Sequence, residues 1–223
     1  MKQNPFDLPE VASTYERWYE EAGKRADSQE KSLLLKLLTE FPRSTSILEV
    51  GCGTGHFTRW FHELGYWSAG VDKSEAMLSK AAQFGEVPYV LADAAMLPFE
   101  DDSVDIVSFV TSLEFMEEII SALAEGLRVA KRGLLLGILN KSSHLGIWRR
   151  LQSRLTESPY ASARFFTIRE IEAIVADLMA PERPEVIWRS TLFPIVGGNA
   201  KLPWGGFLGV AIKKPTKIEG GSK

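Results

Sequence analysis

Three glycines follow a short, largely apolar segment in a spacing that suits close approach of a ligand to the backbone. Residues 47–50 read ILEV, and Gly51, Gly53 and Gly55 come directly after them in a G-x-G-x-G pattern. Glycine has no Cβ, so such a strand-to-helix turn lets a ligand lie against the main chain. Dinucleotide enzymes use G-x-G-x-x-G and hold a diphosphate there. Here His56 stands where the third glycine of that pattern would be.

Three carboxylates accompany the glycine turn. Glu49 precedes it, while Asp72 and Asp93 end the next two apolar segments. The carboxyl ends of parallel strands meet at the sheet edge where ligands of open α/β folds bind. Carboxylates there would repel a diphosphate but suit a ligand that carries an ammonium and a sulfonium. The pattern therefore favours a cationic nucleoside over NAD, with a helix-start role for Asp72 and a turn role for Asp93 as alternatives.

Composition excludes several other classes of function. The formal net charge is -3, so no global basic field recruits nucleic acid, which is an unlikely partner. Cys52 is the single cysteine and the three histidines have no i,i+4 partner among themselves, so we expect no disulfide and no metal site. No segment has the ~20 apolar residues of a membrane span, and residues 1–10 lack a signal peptide. We expect a cytoplasmic protein.

Hydrophobic periodicity and Gly/Pro punctuation predict alternating strands and helices. A break is expected at 23–28. The predicted helices span 11–22, 30–41, 56–64, 74–84, 119–129 and 168–178, and the predicted strands span 47–50, 66–71, 88–92, 104–110, 133–139, 186–192 and 207–212.

This alternation predicts the fold and the domain organisation. Strands joined through helices by short loops imply right-handed crossovers and a parallel sheet with helices on both faces. We expect a single α/β domain over 1–214, with an N-terminal helical cap at 8–42 and a disordered tail at 215–223. The expected architecture is a Rossmann-like three-layer sandwich, whose seven-stranded, mostly parallel sheet has an antiparallel last strand.

Residues 140–166 interrupt the alternation and are predicted to form a lid-like insertion. Apolar side chains fall at helical spacing there, beside a basic face that includes Arg149, Arg150 and Arg154. A solvated basic face is one interpretation. The others are that the segment binds an anionic acceptor, a membrane surface or a partner protein.

The motif order of the chain resembles a known family. The segments LEVGCGTGHF, GVDKSEAMLSKA, LADAAMLPFEDDSVDIV and LRVAKRGLLLGILN are similar to successive motifs of class I S-adenosylmethionine (SAM) methyltransferases, especially the UbiE/BioC-like type 11 group. The resemblance covers about residues 10–140. It implies a SAM cofactor, with S-adenosylhomocysteine (SAH) as the product, and methyl transfer to a small or medium-sized acceptor by direct in-line displacement.

The resemblance also implies which residues face the methionine part of the cofactor. Gly51, Cys52 and Gly53 would present their backbone to it, and Glu49 would support the turn or meet the ammonium. Thr111 and Ser112 would line the same side. Tyr15, within YERW, matches an aromatic residue of the family's N-terminal helix that closes over the cofactor carboxylate.

The nucleoside part would be held by residues of the next two motifs. Asp72 would accept hydrogen bonds from both ribose hydroxyls, and Lys73 and Met77 would border the adenine. Asp93 would accept a hydrogen bond from the adenine amino group, and Ala94 would offer a backbone N–H to the adenine.

Two departures from the family pattern matter. KRG replaces K-P-G-G before the fifth strand, which alters a surface turn, and Glu114-Phe115 stands where many members carry His-His. The general base is therefore unassigned, with Glu114, His144 and Tyr15 as candidates.

A non-catalytic SAM-binding regulatory or partner protein and an NAD-dependent oxidoreductase are the alternative functions.

Overall fold

The computed structural model describes residues 6, 8–21, 23–85, 87–143, 163–193 and 198–215. Strands and helices alternate along the chain as predicted. The strands are β1 (Ser46–Val50), β2 (Trp67–Asp72), β3 (Tyr89–Leu91), β4 (Val104–Val110), β5 (Ala130–Leu139), β6 (Glu185–Thr191) and β7 (Phe207–Lys213). The helices are α1 (Pro9–Glu20), α2 (Lys24–Leu38), α3 (His56–Glu63), α4 (Glu75–Ala81), α5 (Ile119–Val129) and α6 (Ile168–Leu178).

The strands form one seven-stranded sheet in the order β3-β2-β1-β4-β5-β7-β6. The first five strands pair in parallel, so that Leu48 of β1 lies beside Ala69 of β2 and Val107 of β4. β7 runs antiparallel to both β5 and β6. The mostly parallel sheet with an antiparallel last strand is thus confirmed.

Helices cover both faces of the sheet. On one face, α2 and α3 contribute Leu34, Leu37 and Phe61 to a buried cluster. On the other, Leu123 of α5 and Ile171 of α6 pack over the central strands. Burying each such side chain contributes about 1.5–3 kcal/mol, so the amphipathic faces of these helices fix the three layers. The predicted sandwich is confirmed.

The expected break at residues 23–28 is wrong. α2 begins at Lys24, directly after Gly23, whose N–H donates to the carbonyl of Trp18. The polar residues that suggested a loop occupy the solvent side of the first turns of α2, and Asp27 forms an i,i+4 ion pair with Lys31. The helix also ends at Leu38, earlier than the predicted 41.

Residues 144–162 lie outside the described residues, and so do residues 216–223. His144, Arg149, Arg150 and Arg154 belong to the first of these ranges, so the lid-like insertion stays a prediction. Within the described part of the chain, no helix combines the length and the hydropathy needed to cross a membrane.

Candidate active site

A cavity of about 260 Å³ opens at the carboxyl ends of β1, β2, β3 and β4. Four parallel strands end at this edge, so the loops that follow them converge on one place. The described residues around it are Phe6 and Tyr15, residues 50–51, 53, 71–73 and 77, residues 92–96, and residues 111–112, 115–118 and 122. Every predicted cofactor residue except Glu49 and Cys52 lines this cavity.

The glycine turn between β1 and α3 needs its glycines for two reasons. Gly51, Gly53 and Gly55 all have positive φ, at 72°, 53° and 77°, a region that side chains disfavour. A Cβ on Gly51 would also lie 2.5 Å from the Cβ of Ser112. The main chain of the turn therefore comes to the cavity wall without side chains in between.

Asp72 joins the end of β2 to the glycine turn. Its Oδ2 accepts a hydrogen bond from the Gly53 N–H at 2.7 Å, and its Oδ1 accepts one from the Ser74 N–H at 2.9 Å. Burial raises the pKa of Asp72, and the two N–H donors oppose that rise. The carboxylate is held in place by backbone donors while it lines the cavity.

Asp93 lines the cavity and also forms part of the turn after β3. The residue is exposed and lines the cavity together with Ala94, Ala95 and Met96. Its Oδ1 also accepts a hydrogen bond from the Ala95 N–H at 2.9 Å. The turn after β3 is therefore built by the same carboxylate that faces the cavity.

Glu49 and Cys52 point away from the cavity into the protein. Glu49 is 2% exposed and accepts a hydrogen bond from the Thr58 hydroxyl of α3. Burial raises the pKa of Glu49 to about 8, although the Thr58 hydrogen bond opposes the rise. The Cys52 sulfur packs against Gly70, where an added Cβ would lie 2.7 Å from it. In the structure, both side chains lie on the side of the glycine turn that faces away from the cavity.

Aromatic side chains from three segments close one side of the cavity. The ring of Phe6 lies edge-on to Tyr15 of α1 at 6.1 Å and to Phe115, after β4, at 4.8 Å. The carbonyl of Phe6 accepts a hydrogen bond from the Ser74 hydroxyl at 2.8 Å. We did not predict Phe6 or Phe115, because contacts between segments so distant in sequence leave no periodic signal.

The loop after β4 forms a further part of the cavity lining. Thr111 donates its N–H to the carbonyl of Gly137 at 2.7 Å, and the Ser112 hydroxyl donates to the carbonyl of Val50 at 2.8 Å. Met116 lines the cavity next to Phe115 and was also missed. These bonds fix the loop to β1 and β5, so its position relative to the glycine turn is set by the sheet.

Glu114, a candidate general base, does not line the cavity. The residue is 1% exposed, and its Oε1 accepts a hydrogen bond from the Leu139 N–H at 2.5 Å. Its own carbonyl accepts from the Arg164 N–H at 2.7 Å. Glu114 thus joins the end of β5 to the chain that returns after the insertion. Of the other two candidates, Tyr15 lines the cavity and His144 lies outside the described residues.

A cluster of charged groups lies behind the glycine turn, at the junction of α1, α2 and α3. His56 stacks on Tyr19 at 3.7 Å, and its Nε2 lies 2.7 Å from Asp27 Oδ1. Burial alone would lower the pKa of His56, but the hydrogen bonds to Asp27 and Glu16 outweigh it and raise the pKa. Burial would likewise raise the pKa of Glu16, yet hydrogen bonds from His56, Thr54 and Arg59 lower it to about 2. Among the described residues, no group of three potential ligands could hold a metal ion.

Comparison with known proteins agrees with this geometry. Residues 48–137 match the family described as methyltransferase domain. The chain is 29% identical over 157 residues to the malonyl-[acyl-carrier protein] O-methyltransferase of Hamiltonella defensa, covering 68% of this chain and 60% of that protein. For the enzyme of the same name from Buchnera aphidicola, the identity is 31% over 142 residues, covering 63% and 56%. The chain therefore spans less than two thirds of the length of these relatives.

Solved structures show the same fold over nearly the whole chain. A SAM-dependent methyltransferase from Thermotoga maritima, a possible histamine N-methyltransferase, is 25% identical with a TM-score of 0.76 and covers 94% of this chain and 98% of its own. The magnesium protoporphyrin IX methyltransferase of Synechocystis PCC 6803, solved with bound SAH, is 18% identical with a TM-score of 0.62 and covers 86% and 84%.

The sheet order, the glycine turn and these matches define a class I methyltransferase domain. Within that class, residues 48–137 match the methyltransferase domain family, and the curated relatives are named as O-methyltransferases. The cofactor of such a domain is SAM. The same findings favour this class over the NAD-dependent oxidoreductase.

Proposed function

We propose that this protein transfers the methyl group of SAM to a small or medium-sized acceptor by direct in-line displacement. One observation carries the proposal: all the residues predicted to hold the cofactor, except Glu49 and Cys52, converge on one cavity at the carboxyl edge of the sheet. The strands and helices from Pro9 to Lys213 build one sheet and its covering layers, which supports a single domain over 1–214.

The residues that line the cavity fit such a cofactor in their chemistry. Gly51 and Gly53 bring bare backbone to the cavity, which suits the methionine part, with Tyr15 and Thr111 on the walls around it. The carboxylate of Asp72 suits the ribose hydroxyls. Asp93, Ala94, Lys73 and Met77 would surround the adenine.

Glu49 and Cys52 take a different part in this proposal. Their side chains lie behind the turn, so we assign them a supporting role and no direct contact through the side chain. The backbone of Cys52 is already committed, since its N–H donates to the carbonyl of Val71 at 3.0 Å.

The protein's part in catalysis is to position the reactants and exclude water. A methyl sulfonium supplies an activated methyl group when the cofactor is bound. Alignment of two reactants can contribute about 7–11 kcal/mol in favourable cases. The apolar wall of Phe6, Phe115 and Met116 keeps that side of the cavity dry. A general base is needed only where the acceptor must lose a proton.

We further propose that the acceptor carries a carboxylate or phosphate. Two observations support this proposal. The basic side chains of residues 140–166, including Arg149, Arg150 and Arg154, follow β5, which places that insertion next to the ligand edge in the chain. The two curated relatives act, by name, on a malonyl group, which is anionic. Arg149→Ala/Arg150→Ala should weaken acceptor turnover and leave SAH affinity unchanged; equal turnover would mean that the basic face is solvated surface.

Calorimetry with SAH and with NAD tests the cofactor assignment. We expect an SAH dissociation constant in the micromolar range, which corresponds to roughly -8 kcal/mol, and no comparable heat with NAD. A preference for NAD would overturn the assignment. Turnover is tested separately, by screening a metabolite pool for SAM-dependent formation of SAH. Binding without turnover of any acceptor would favour the non-catalytic SAM-binding protein.

A further inference from the structure

We propose that Glu16 is a positioning residue of the cofactor site. Its carboxylate holds α1 against the glycine turn, and it thereby sets the position of the Tyr15 ring relative to Gly53, where an added Cβ would lie 4.0 Å from Tyr15 Cε1. This inference rests on the proposed function, because it assigns a role within the same site.

The contacts of Glu16 all reach the glycine turn or the first turn of α3. The Thr54 hydroxyl donates to Oε1 at 2.5 Å, and Arg59 Nη2 donates to the same oxygen at 2.9 Å. His56 Nδ1 lies 3.8 Å from Oε2. The Glu16 side chain is only 15% exposed, so these contacts are shielded from solvent. Charge-assisted hydrogen bonds in such surroundings are strong and directional.

Thr54 is the fixed point through which Glu16 acts on the turn. It lies between Gly53 and Gly55, neither of which has a side chain that could anchor the backbone. Its hydroxyl is held by Glu16, and its carbonyl accepts a hydrogen bond from Arg59 Nη1 at 2.6 Å. The hydroxyl and the carbonyl of this fully buried threonine are therefore both attached to the Glu16–Arg59 pair.

On the other side, Glu16 fixes the helix that carries Tyr15. Consecutive residues of an α-helix point about 100° apart, so anchoring Glu16 on the turn fixes the direction of Tyr15. Tyr15 lines the cavity, and its ring lies edge-on to Tyr19 at 5.7 Å. Tyr19 in turn stacks on His56. The carboxylate thus links two walls of the cavity that belong to different parts of the chain.

The turn has a second attachment, which runs to β2. Asp72 and the Val71 carbonyl accept hydrogen bonds from Gly53, Gly51 and Cys52. That attachment orients the turn relative to the sheet, and none of its hydrogen bonds involves a residue of α1. Loss of Glu16 would therefore release Tyr15 from the turn while the turn stays joined to the sheet. If the carboxylate had only a structural role, its loss would lower only the stability of the fold. A misplacement of about 1 Å in a binding site, by contrast, can cost about 100-fold in rate.

The test is SAH binding to Glu16→Gln in the full chain, measured by calorimetry well below the melting temperature. Glutamine keeps the size and one acceptor oxygen but loses the charge. We expect the SAH dissociation constant to rise about tenfold, as for loss of a hydrogen bond to a charged group, and KM for SAM to rise more than kcat falls. The matched control is Glu10→Gln, which changes an exposed carboxylate on the same helix and should leave the constant unchanged.

Thr54→Val removes the same hydrogen bond from the other partner. It should raise the SAH dissociation constant to a similar degree. The double variant should bind SAH no more than about twofold more weakly than either single variant, because both substitutions delete the same contact. Should Glu16→Gln fail to fold, Thr54→Val alone carries the test. A folded variant that binds SAH as the wild type does, or fully additive effects, would overturn the inference.

SAH binding distinguishes failure of the proposed function from failure of the role assigned to Glu16. If the wild-type chain itself does not bind SAH, the proposed function fails and the role of Glu16 falls with it. If the wild type binds SAH and Glu16→Gln only lowers the melting temperature, the proposed function stands and only the inference is wrong.

Discussion

Asp72 and Gly53 are joined by a hydrogen bond of 2.7 Å, from the glycine N–H to the carboxylate, although they lie at the ends of different strand–loop units. The same carboxylate accepts the Ser74 N–H and faces the cavity. One side chain therefore fixes the glycine turn and lines the cavity, where we propose that its remaining acceptor capacity binds the ribose hydroxyls. Its two roles can be separated, because they use different properties of the carboxylate.

Asp72→Asn and Asp72→Ala should differ in stability but agree in cofactor binding. Both variants lose the negative charge of the carboxylate that would accept hydrogen bonds from the ribose hydroxyls. SAH affinity should therefore fall tenfold or more, as for the loss of two charge-assisted hydrogen bonds of roughly 1.5–3 kcal/mol each. Asparagine can still accept from one backbone N–H, whereas alanine leaves the N–H groups of Gly53 and Ser74 without this acceptor. The free energy of unfolding should therefore fall by about 1–3 kcal/mol more in Asp72→Ala.

Calorimetry with SAH and denaturant unfolding measure the two effects on the same samples. A well-folded Asp72→Asn with unchanged SAH affinity would place Asp72 outside the binding role and leave it as a turn residue alone.

Local patterns in the sequence were sufficient for the fold, and together with the family resemblance they predicted ten of the 21 residues that line the cavity. The apolar segments at β1, β2 and β4 and the glycines after β1 are local signals, and the parallel sheet then brings their carboxyl ends together. Asp72 and Asp93 follow from that edge alone. The predicted residues converge because topology, once known, determines which loops meet.

What the sequence does not contain is the direction of individual side chains and the contacts across long separations. Glu49 lies two residues before the first glycine of the turn, yet strand alternation points it toward Thr58 of α3, away from the cavity. Phe6 reaches the cavity through contacts with Tyr15, Ser74 and Phe115 that no spacing rule describes. The partners of His56 were invisible for the same reason, since Asp27 lies in a segment that we had predicted as a break.

Gly51→Ala and Gly65→Ala form a matched pair that separates backbone strain from crowding. Both glycines have positive φ, at 72° and 92°, so alanine costs about 1–2 kcal/mol at either position. Only Gly51 is crowded, with Ser112 Cβ 2.5 Å from an added Cβ, whereas nothing lies within 4 Å at Gly65. We expect Gly65→Ala to keep its SAH affinity and Gly51→Ala to lose it almost completely, with the larger fall in melting temperature.

Thermal unfolding and SAH calorimetry of both variants check this pair. Equal losses of stability would show that the backbone conformation alone matters, and wild-type SAH affinity in Gly51→Ala would remove the glycine turn from the binding site.

Glu49→Gln should remove a loss of folding stability that the wild type shows as pH rises. Burial raises the pKa of Glu49 from 4.5 to about 8 in the folded chain. The folded state therefore holds a proton that the unfolded state releases, so wild-type stability falls as pH rises from about 4.5 to about 8. Glutamine cannot ionise and keeps an acceptor for Thr58. The melting temperature of the variant minus that of the wild type should grow over this range, and a constant difference would contradict the buried, protonated state.

The junction between α1, α2 and the glycine turn should be strongest in mildly acidic solution. The pKa of His56 is raised above 6.5, so its contribution to stability is complete below pH 6.5 and is lost as pH rises through the raised value. The pKa of Glu16 is lowered from 4.5 to about 2, so its contribution is complete above pH 4.5 and is lost as pH falls toward 2. Both contributions are present together between these limits.

His56→Gln isolates the histidine's part of this window. His56 faces Glu16 from α1 and both Asp27 and Lys31 from α2, and its protonated ring is attracted by the two carboxylates and repelled by the lysine. The melting temperature of the wild type should exceed that of His56→Gln most at about pH 5.5, and the difference should shrink toward about pH 8.5 as the ring loses its proton. Scanning calorimetry across this range measures it, with Glu49→Gln as the background of both chains so that the titration of this carboxyl does not add to the change. A difference that does not change with pH would mean that the imidazole stacks on Tyr19 without carrying a charge.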